Sequence, residues 1–136
     1  MNELCILRAP SGFGKSTYVE KHFIPKGYTH LEADMFFIKN GQYIFDCNKL
    51  GSAHKWCQTM TKQALNAGKN VVVSNTSTTL KELNDYIKIA ADCKAPFRVI
   101  RLAKQFQNIH NVPEVVIEAM KNRFQDYPGE LVLTDY

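Results

Sequence analysis

Between positions 9 and 17 the chain reads Ala-Pro-Ser-Gly-Phe-Gly-Lys-Ser-Thr. This is the spacing GxxxxGK[ST], with Ala9 in place of the first glycine. Gly12 and Gly14 allow backbone conformations that turn successive N–H groups inward, as a cradle for phosphate oxygens. A helix that follows points its positive end at the same place. Lys15 then reaches the β- and γ-phosphates of a nucleoside triphosphate, the Ser16 hydroxyl ligates Mg²⁺, and Thr17 meets the α-phosphate from the first helical turn. The main chain of Ser11, Gly12, Phe13 and Gly14 completes the grip. The expected ligands are therefore ATP, or another NTP, with Mg²⁺. Ala9 is tolerated because that position needs a small residue more than a special dihedral. The competing reading is a chance glycine turn. Context speaks against it, since the motif lies between a strand and a helix at the start of an α/β pattern.

Asp34 ends the second strand-like stretch, on the same edge as the cradle. Its carboxylate can accept a proton from an attacking hydroxyl or bind Mg²⁺ through water. It can equally cap a helix from Met35 onward, and spacing does not choose between the two. Phe36, Phe37, Tyr43, Phe45 and Trp56 could stack a base of an acceptor. Aromatics at this density mostly pack a core, with Phe36 and Tyr43, near Asp34 in the chain, as the expected exceptions. His54 shares a helix with Trp56 and reads either as an acceptor-side group or as a solvated surface histidine. His110 touches the nucleotide or braces its own loop. Lys21, Lys26, Lys39, Lys49, Lys55, Lys62 and Lys69 are scattered and read as solvated charges.

The elements that must position these groups follow from periodicity. Leu4 to Leu7 is a buried strand entering the glycine turn, and Ser16 to Phe23 is helical until Pro25 and Gly27 stop it. Thr29 to Ala33 is a second strand. Asn40-Gly41, between apolar runs, marks a hairpin. Asp46 or Asn48 caps a long helix running to Ala67 and closed by Gly68. Asn70 to Ser74 is a further buried strand, and Thr79 starts a helix with Leu80, Leu83, Ile87 and Ala90 on one face. Phe97 to Leu102 is a strand, Pro113 opens a last helix, and Leu131 to Leu133 adds a short strand. Strands separated by helices imply a three-layer α/β sandwich around a mostly parallel sheet of about five strands, with ligands at its carboxyl edge.

Length and composition set the bounds. The 136 residues suit one domain, 1–136, and the net charge of +4 fits an anionic ligand without demanding nucleic acid. No stretch reads as a secretory signal or a membrane span. Four cysteines (Cys5, Cys47, Cys57 and Cys93) lack metal-type spacing and read as small core hydrophobes of a reduced, cytoplasmic protein.

LEADMFF (Leu31 to Phe37), AHKWC (Ala53 to Cys57), VVVSNTST (Val71 to Thr78) and NIHNVPEVVIEAM (Asn108 to Met120) follow the phosphate loop in that order. Together they resemble the P-loop kinases of the polynucleotide 5′-hydroxyl kinase group. That group includes kinase-like domains of cyclic-nucleotide phosphodiesterases and related bacterial and phage ATP-binding proteins. The resemblance covers nearly the whole chain and implies a P-loop NTPase fold with a short lid, Ala103 to Asn111. It implies that Asp34 is the general base toward an acceptor hydroxyl, with Lys15 and Ser16 as phosphate and Mg²⁺ ligands. Asn75, followed by Thr76 and Ser77, falls in the segment near the acceptor phosphate or the metal shell. Phe37, Tyr43 and His54 would then border the acceptor.

Three departures stand out. Phe37 and Gln107 occupy the places of two arginines, for which Arg101, Lys104 or Arg123 could substitute. The strand VVVSN lacks the Mg²⁺-ordering Asp of many P-loop ATPases, which favours a kinase over a motor. The implied activity is transfer of a γ-phosphate to the 5′-hydroxyl of a nucleic acid or nucleotide-like acceptor. The alternatives are a nucleoside kinase and a slow NTPase acting as a nucleotide-dependent binding module.

Overall fold

The protein is described here by a computed structural model, which covers residues 2–10, 12–77, 79–104, 113–134 and 136. Its centre is β1 (Leu4–Arg8), in which every residue is buried. A strand covered on both faces loses the polar alternation of a half-exposed one, so the run LCILR is apolar up to its last residue. On one side β1 pairs in parallel with β5 (Val71–Asn75), and beyond it lies β2 (Thr29–Leu31). On the other side it pairs with β6 (Phe97–Leu102), followed by β7 (Leu131–Leu133). The order is β2-β5-β1-β6-β7 and every pairing is parallel, as the strand–helix alternation predicts.

Side-chain parity sorts the helices into two outer layers. Cys5, Leu7 and Val72 pack with Val19 of α1 (Lys15–His22) on one face. Leu4, Ile6, Val71 and Val73 pack with Ala53, Cys57 and Leu65 of α2 (Leu50–Asn66) and with Leu83, Tyr86 and Ala90 of α3 (Leu80–Asp92) on the other. The last helix, α4 (Glu114–Arg123), buries Ile117. From β1 the chain crosses over β5 to reach β2, and from β5 it crosses over β1 to reach β6. Neighbouring strands whose connections depart in opposite directions leave a crevice at their carboxyl ends.

Local signals account for most boundaries. Thr79 caps α3, its Oγ1 accepting the Glu82 N–H at 3.3 Å. Asp46 rather than Asn48 is the cap before α2, but of a 3₁₀ turn, Cys47–Lys49, that leads into the helix. The predicted hairpin is present as β3 (Ile38–Lys39) and β4 (Gln42–Tyr43), turned by Asn40 and Gly41 at φ 52° and 77°. It is shorter than the apolar runs around it suggest, because Ala33–Phe37 coils into a 3₁₀ turn that sinks Phe37 into the core. The second strand also stops early, at Leu31. The Ala33 N–H donates to the Asn75 side-chain oxygen at 2.8 Å instead of extending the ladder. Asp34 thus stands on a 3₁₀ turn rather than at a strand end. Of the cysteines, Cys5 and Cys57 are buried as expected, whereas Cys47 is exposed and Cys93 half-buried. Among the described residues no helix is long and apolar enough to cross a membrane.

The last turn of β1 is anchored by a charged core. The Arg8 guanidinium is fully buried, donates to Glu130 at 3.1 Å and to the Ser77 carbonyl at 3.0 Å, and lies 4.2 Å over the Phe124 ring. Arg101 covers the same ring at 4.4 Å and pairs with Asp126 and Glu130.

Candidate active site

A cleft of about 1110 Å³ opens at the carboxyl ends of β1, β5 and β2. One wall is the phosphate loop. Gly12 and Gly14 hold φ of 85° and 79°, the left-handed region that a side chain disfavours, and Gly14 is the N-cap of α1. The first turn of α1 contains no acidic residue, so its positive end faces the cleft unopposed. Gly12, Gly14, Lys15, Ser16 and Thr17 all line the space. Ser11 lies outside the described residues.

The Lys15 ammonium donates to the Ala9 carbonyl at 2.7 Å and the Pro10 carbonyl at 3.3 Å. Burial pulls its pKa down to about 8, against the opposing pull of the Glu32 and Asp34 carboxylates. A charged amine held by two carbonyls in a desolvated loop is poised to exchange them for phosphate oxygens. Phe13 contributes main chain to the loop, while its ring is sunk in the core on the α1 face. The Tyr136 hydroxyl lies 2.8 Å from the Phe13 carbonyl and 2.8 Å from the Lys104 carbonyl, its one proton shared between them, and Tyr136 itself lines the cleft edge-on to Tyr18.

The facing wall carries Asp34. It does not cap its turn, which begins at Glu32 without a side-chain cap. The Tyr43 hydroxyl donates to the Asp34 carboxylate at 3.3 Å. The Tyr43 phenol is raised above its ordinary pKa by burial and then by the charge of Asp34, so it stays a donor at neutral pH. Asp34 and Tyr43, singled out separately in the sequence, are thus brought together. Asn75 lines the cleft, but its amide is engaged within the protein. Besides accepting from Ala33, it donates to the Tyr86 hydroxyl at 3.4 Å. It ties the Asp34 turn to the end of β5.

The aromatic expectations divide. Phe37 is 2 % exposed and packs between Phe36, Tyr43 and Phe45 while bordering the cleft. Phe36, expected to be an exception to packing, is half-buried against the core, beside Phe37 and Trp56. His54 is exposed on α2 and lines the cleft. Among the described lining residues the lysines and arginines are Lys15 and Lys21. Arg101, Lys104 and Arg123 are not there, and Arg101 is committed to Asp126 and Glu130. Gln107, His110 and most of the expected lid lie outside the described residues.

Tyr136 and Glu32 are among the lining residues that escaped the sequence reading. Tyr136 meets the loop from 123 positions away. Glu32 stands two before Asp34 and borders the same cleft. Alternation along an extended chain puts positions i and i+2 on one side, so the pattern Glu-Ala-Asp was the signal available. Among the described residues no cluster of three His, Cys, Asp or Glu side chains could hold a metal unaided. The Ser16 hydroxyl and the Glu32 and Asp34 carboxylates are instead a hard oxygen set. Such a set fits a Mg²⁺ that arrives with phosphate oxygens.

Residues 4–103 match the family described as AAA domain. The human NEDD4-binding protein 2 is 31% identical over 91% of this chain, which spans 8% of that protein's length. The bifunctional polynucleotide phosphatase/kinase of Schizosaccharomyces pombe is 26% identical over 90% of this chain, which spans 30% of its length. In fold, the APS kinase CysC of Mycobacterium tuberculosis, solved with AMPPNP and APS, superposes with a TM-score of 0.64 at 17% identity, covering 97% of this chain and 87% of that one.

Proposed function

The chain belongs to the AAA-domain family that it matches over residues 4–103, with a P-loop kinase-like fold, and on that premise we propose that it is an ATP- and Mg²⁺-dependent phosphotransferase. The acceptor is a hydroxyl of a nucleic acid or nucleotide-like molecule, first among them a 5′-hydroxyl. The observation that carries this reading is the carboxylate of Asp34 in one cleft with the lysine of the phosphate loop. Likeness to a polynucleotide phosphatase/kinase supports the acceptor class. The four free thiols suit a reducing, cytoplasmic setting.

The chemistry asks the protein mainly for positioning and charge. Main-chain N–H groups of the loop and the Lys15 ammonium hold the β- and γ-phosphates. When bound, Mg²⁺ supplies charge neutralisation across these oxygens, and the Ser16 hydroxyl is a donor to it. Asp34 takes the proton of the acceptor hydroxyl as that oxygen bonds to the γ-phosphorus. The bond from phosphorus to the bridging oxygen breaks, and ADP leaves. Tyr43 and the Asn75–Ala33 tie hold the carboxylate in place.

In the test, the protein incubated with ATP labelled at the γ-phosphate should label 5′-hydroxyl oligonucleotides. Asp34→Asn should lower turnover by about 10²–10⁴-fold with nucleotide affinity unchanged by calorimetry. Equal turnover in that variant overturns the assignment of the base. The scarcity of cations in the described cleft wall favours one second reading, a nucleoside-sized acceptor, since a polyanion is gripped through many phosphate contacts. Labelling of nucleosides but not oligonucleotides would select it.

A further inference from the structure

In many P-loop ATPases the strand beside the phosphate loop ends on an Asp that orders Mg²⁺. Here that strand, β5, ends Ser74-Asn75 and brings no carboxylate to the cleft. The next strand does. β2 and β5 run in parallel with Leu31 opposite Val73, so the following residues, Glu32 and Ser74, emerge side by side. The Ser74 hydroxyl donates to the Glu32 Oε2 at 3.2 Å. Because a carboxylate only accepts, this bond uses the hydroxyl's one proton. The His30 Nε2, 2.5 Å from the same oxygen, must then be the donor to it. A chain from His30 through Ser74 to Glu32 results.

This chain fixes the carboxylate at the end of β5 although its backbone belongs to β2. Outer hydrogen bonds of this kind orient the oxygen donors of metal sites. One accepted bond uses one of about four lone-pair positions of the carboxylate. The Glu32 side chain is 28 % exposed and it lines the same cleft as Ser16. Asp34, the other carboxylate of this wall, accepts from Tyr43 and, on the proposed function, is needed for the acceptor proton. Resting on the reading of the cleft as a Mg²⁺-nucleotide site, we infer that Glu32 is the protein carboxylate that, with the Ser16 hydroxyl, holds the nucleotide's Mg²⁺, directly or through one of its waters. The acid missing from β5 has been supplied by its neighbour in the sheet.

Calorimetry with AMPPNP, in Mg²⁺ and in EDTA, tests this without turnover. Wild type should bind more tightly with the metal. Glu32→Gln should lose about 10–100-fold of metal-dependent affinity and keep its affinity in EDTA. The double variant Glu32→Gln/Ser74→Asp returns a carboxylate to β5 and should recover the metal dependence. Mn²⁺ bound with AMPPNP, read by electron paramagnetic resonance, should follow the same order. A Glu32→Gln protein with undiminished metal dependence overturns the inference. So does one that loses affinity equally in EDTA, or a folded double variant that recovers nothing. A wild type that binds no AMPPNP under either condition would instead overturn the proposed function.

Discussion

The two walls of the cleft are built in different ways. The donor wall is deep and anchored in the core. β1 and Ala9 are buried, the Phe13 ring is anchored in the core, and Tyr136 pins the loop's carbonyl. The acceptor wall is shallow. Its hairpin has strands of two residues each, and Ile38, Tyr43, Ile44 and Phe45 are 54, 56, 55 and 51% exposed. A triphosphate presents the same oxygens in every molecule that carries it, so a fixed cradle serves. An acceptor varies in shape, and a surface with little buried apolar area opens and adapts at small cost. On the proposed function, the difference places generic chemistry on the deeply anchored wall and acceptor selectivity on the shallow one.

The harshest way to break this contrast is to loosen the donor wall from below. Glu130→Ala removes a carboxylate partner of the buried Arg8 charge, and removal of one partner of a buried pair costs about 3–5 kcal/mol. Denaturant melts should show that loss, with phosphate binding weakened in parallel. Lys15→Ala leaves the fold in place and removes a donor aimed at developing charge, so turnover should fall by about 10²–10³-fold. Steady-state kinetics with a fixed acceptor would measure it.

A third effect comes from pH. The Lys15 pKa is depressed to about 8 in the ligand-free fold, below its value of about 10.4 in an unfolded chain. The folded state therefore binds fewer protons between the two values. The resulting stability is present above the unfolded pKa and is lost as pH falls through about 8. Phosphate oxygens favour the charged amine, so nucleotide affinity should be level below that pH. Above it, affinity should drop by roughly tenfold per unit, with proton uptake visible in calorimetry across buffers. Lys15→Arg should remove this dependence. The mildest change is Tyr43→Phe. Losing one exposed hydrogen bond to Asp34 should cost about 1 kcal/mol, read as a several-fold fall in kcat/KM for the acceptor. ATP affinity should not change, and a shift there would erase the distinction between the walls.

Much of the donor wall was readable in order along the chain. The cradle spans adjacent residues, and the backbone geometry of Gly12 and Gly14 is a property of glycine wherever it stands. The parallel sheet was equally legible, because burial on both faces writes an apolar run into β1 and β5. The end of β2 was not. It depends on Asn75, 42 positions away, taking the Ala33 N–H, and no local propensity records such a bond. Phe36, expected to stand apart from the packing, is half-buried against Phe37 and Trp56 for the same reason, since a 3₁₀ turn replaced the expected extended chain.

Composition and local order thus sufficed for the glycine loop and the strand–helix alternation, and left Asp34 as either a base or a cap. Those features rest on neighbours in the chain and on the repeat of buried positions. Three-dimensional packing decided that Glu32 stands beside Ser74, that Tyr136 closes on Phe13, and that Arg8 is held by Glu130. Each of these contacts joins residues more than forty positions apart. Hydrogen bonds and ion pairs act over a few ångströms of space, and strand register and crossovers, not chain distance, set which groups meet.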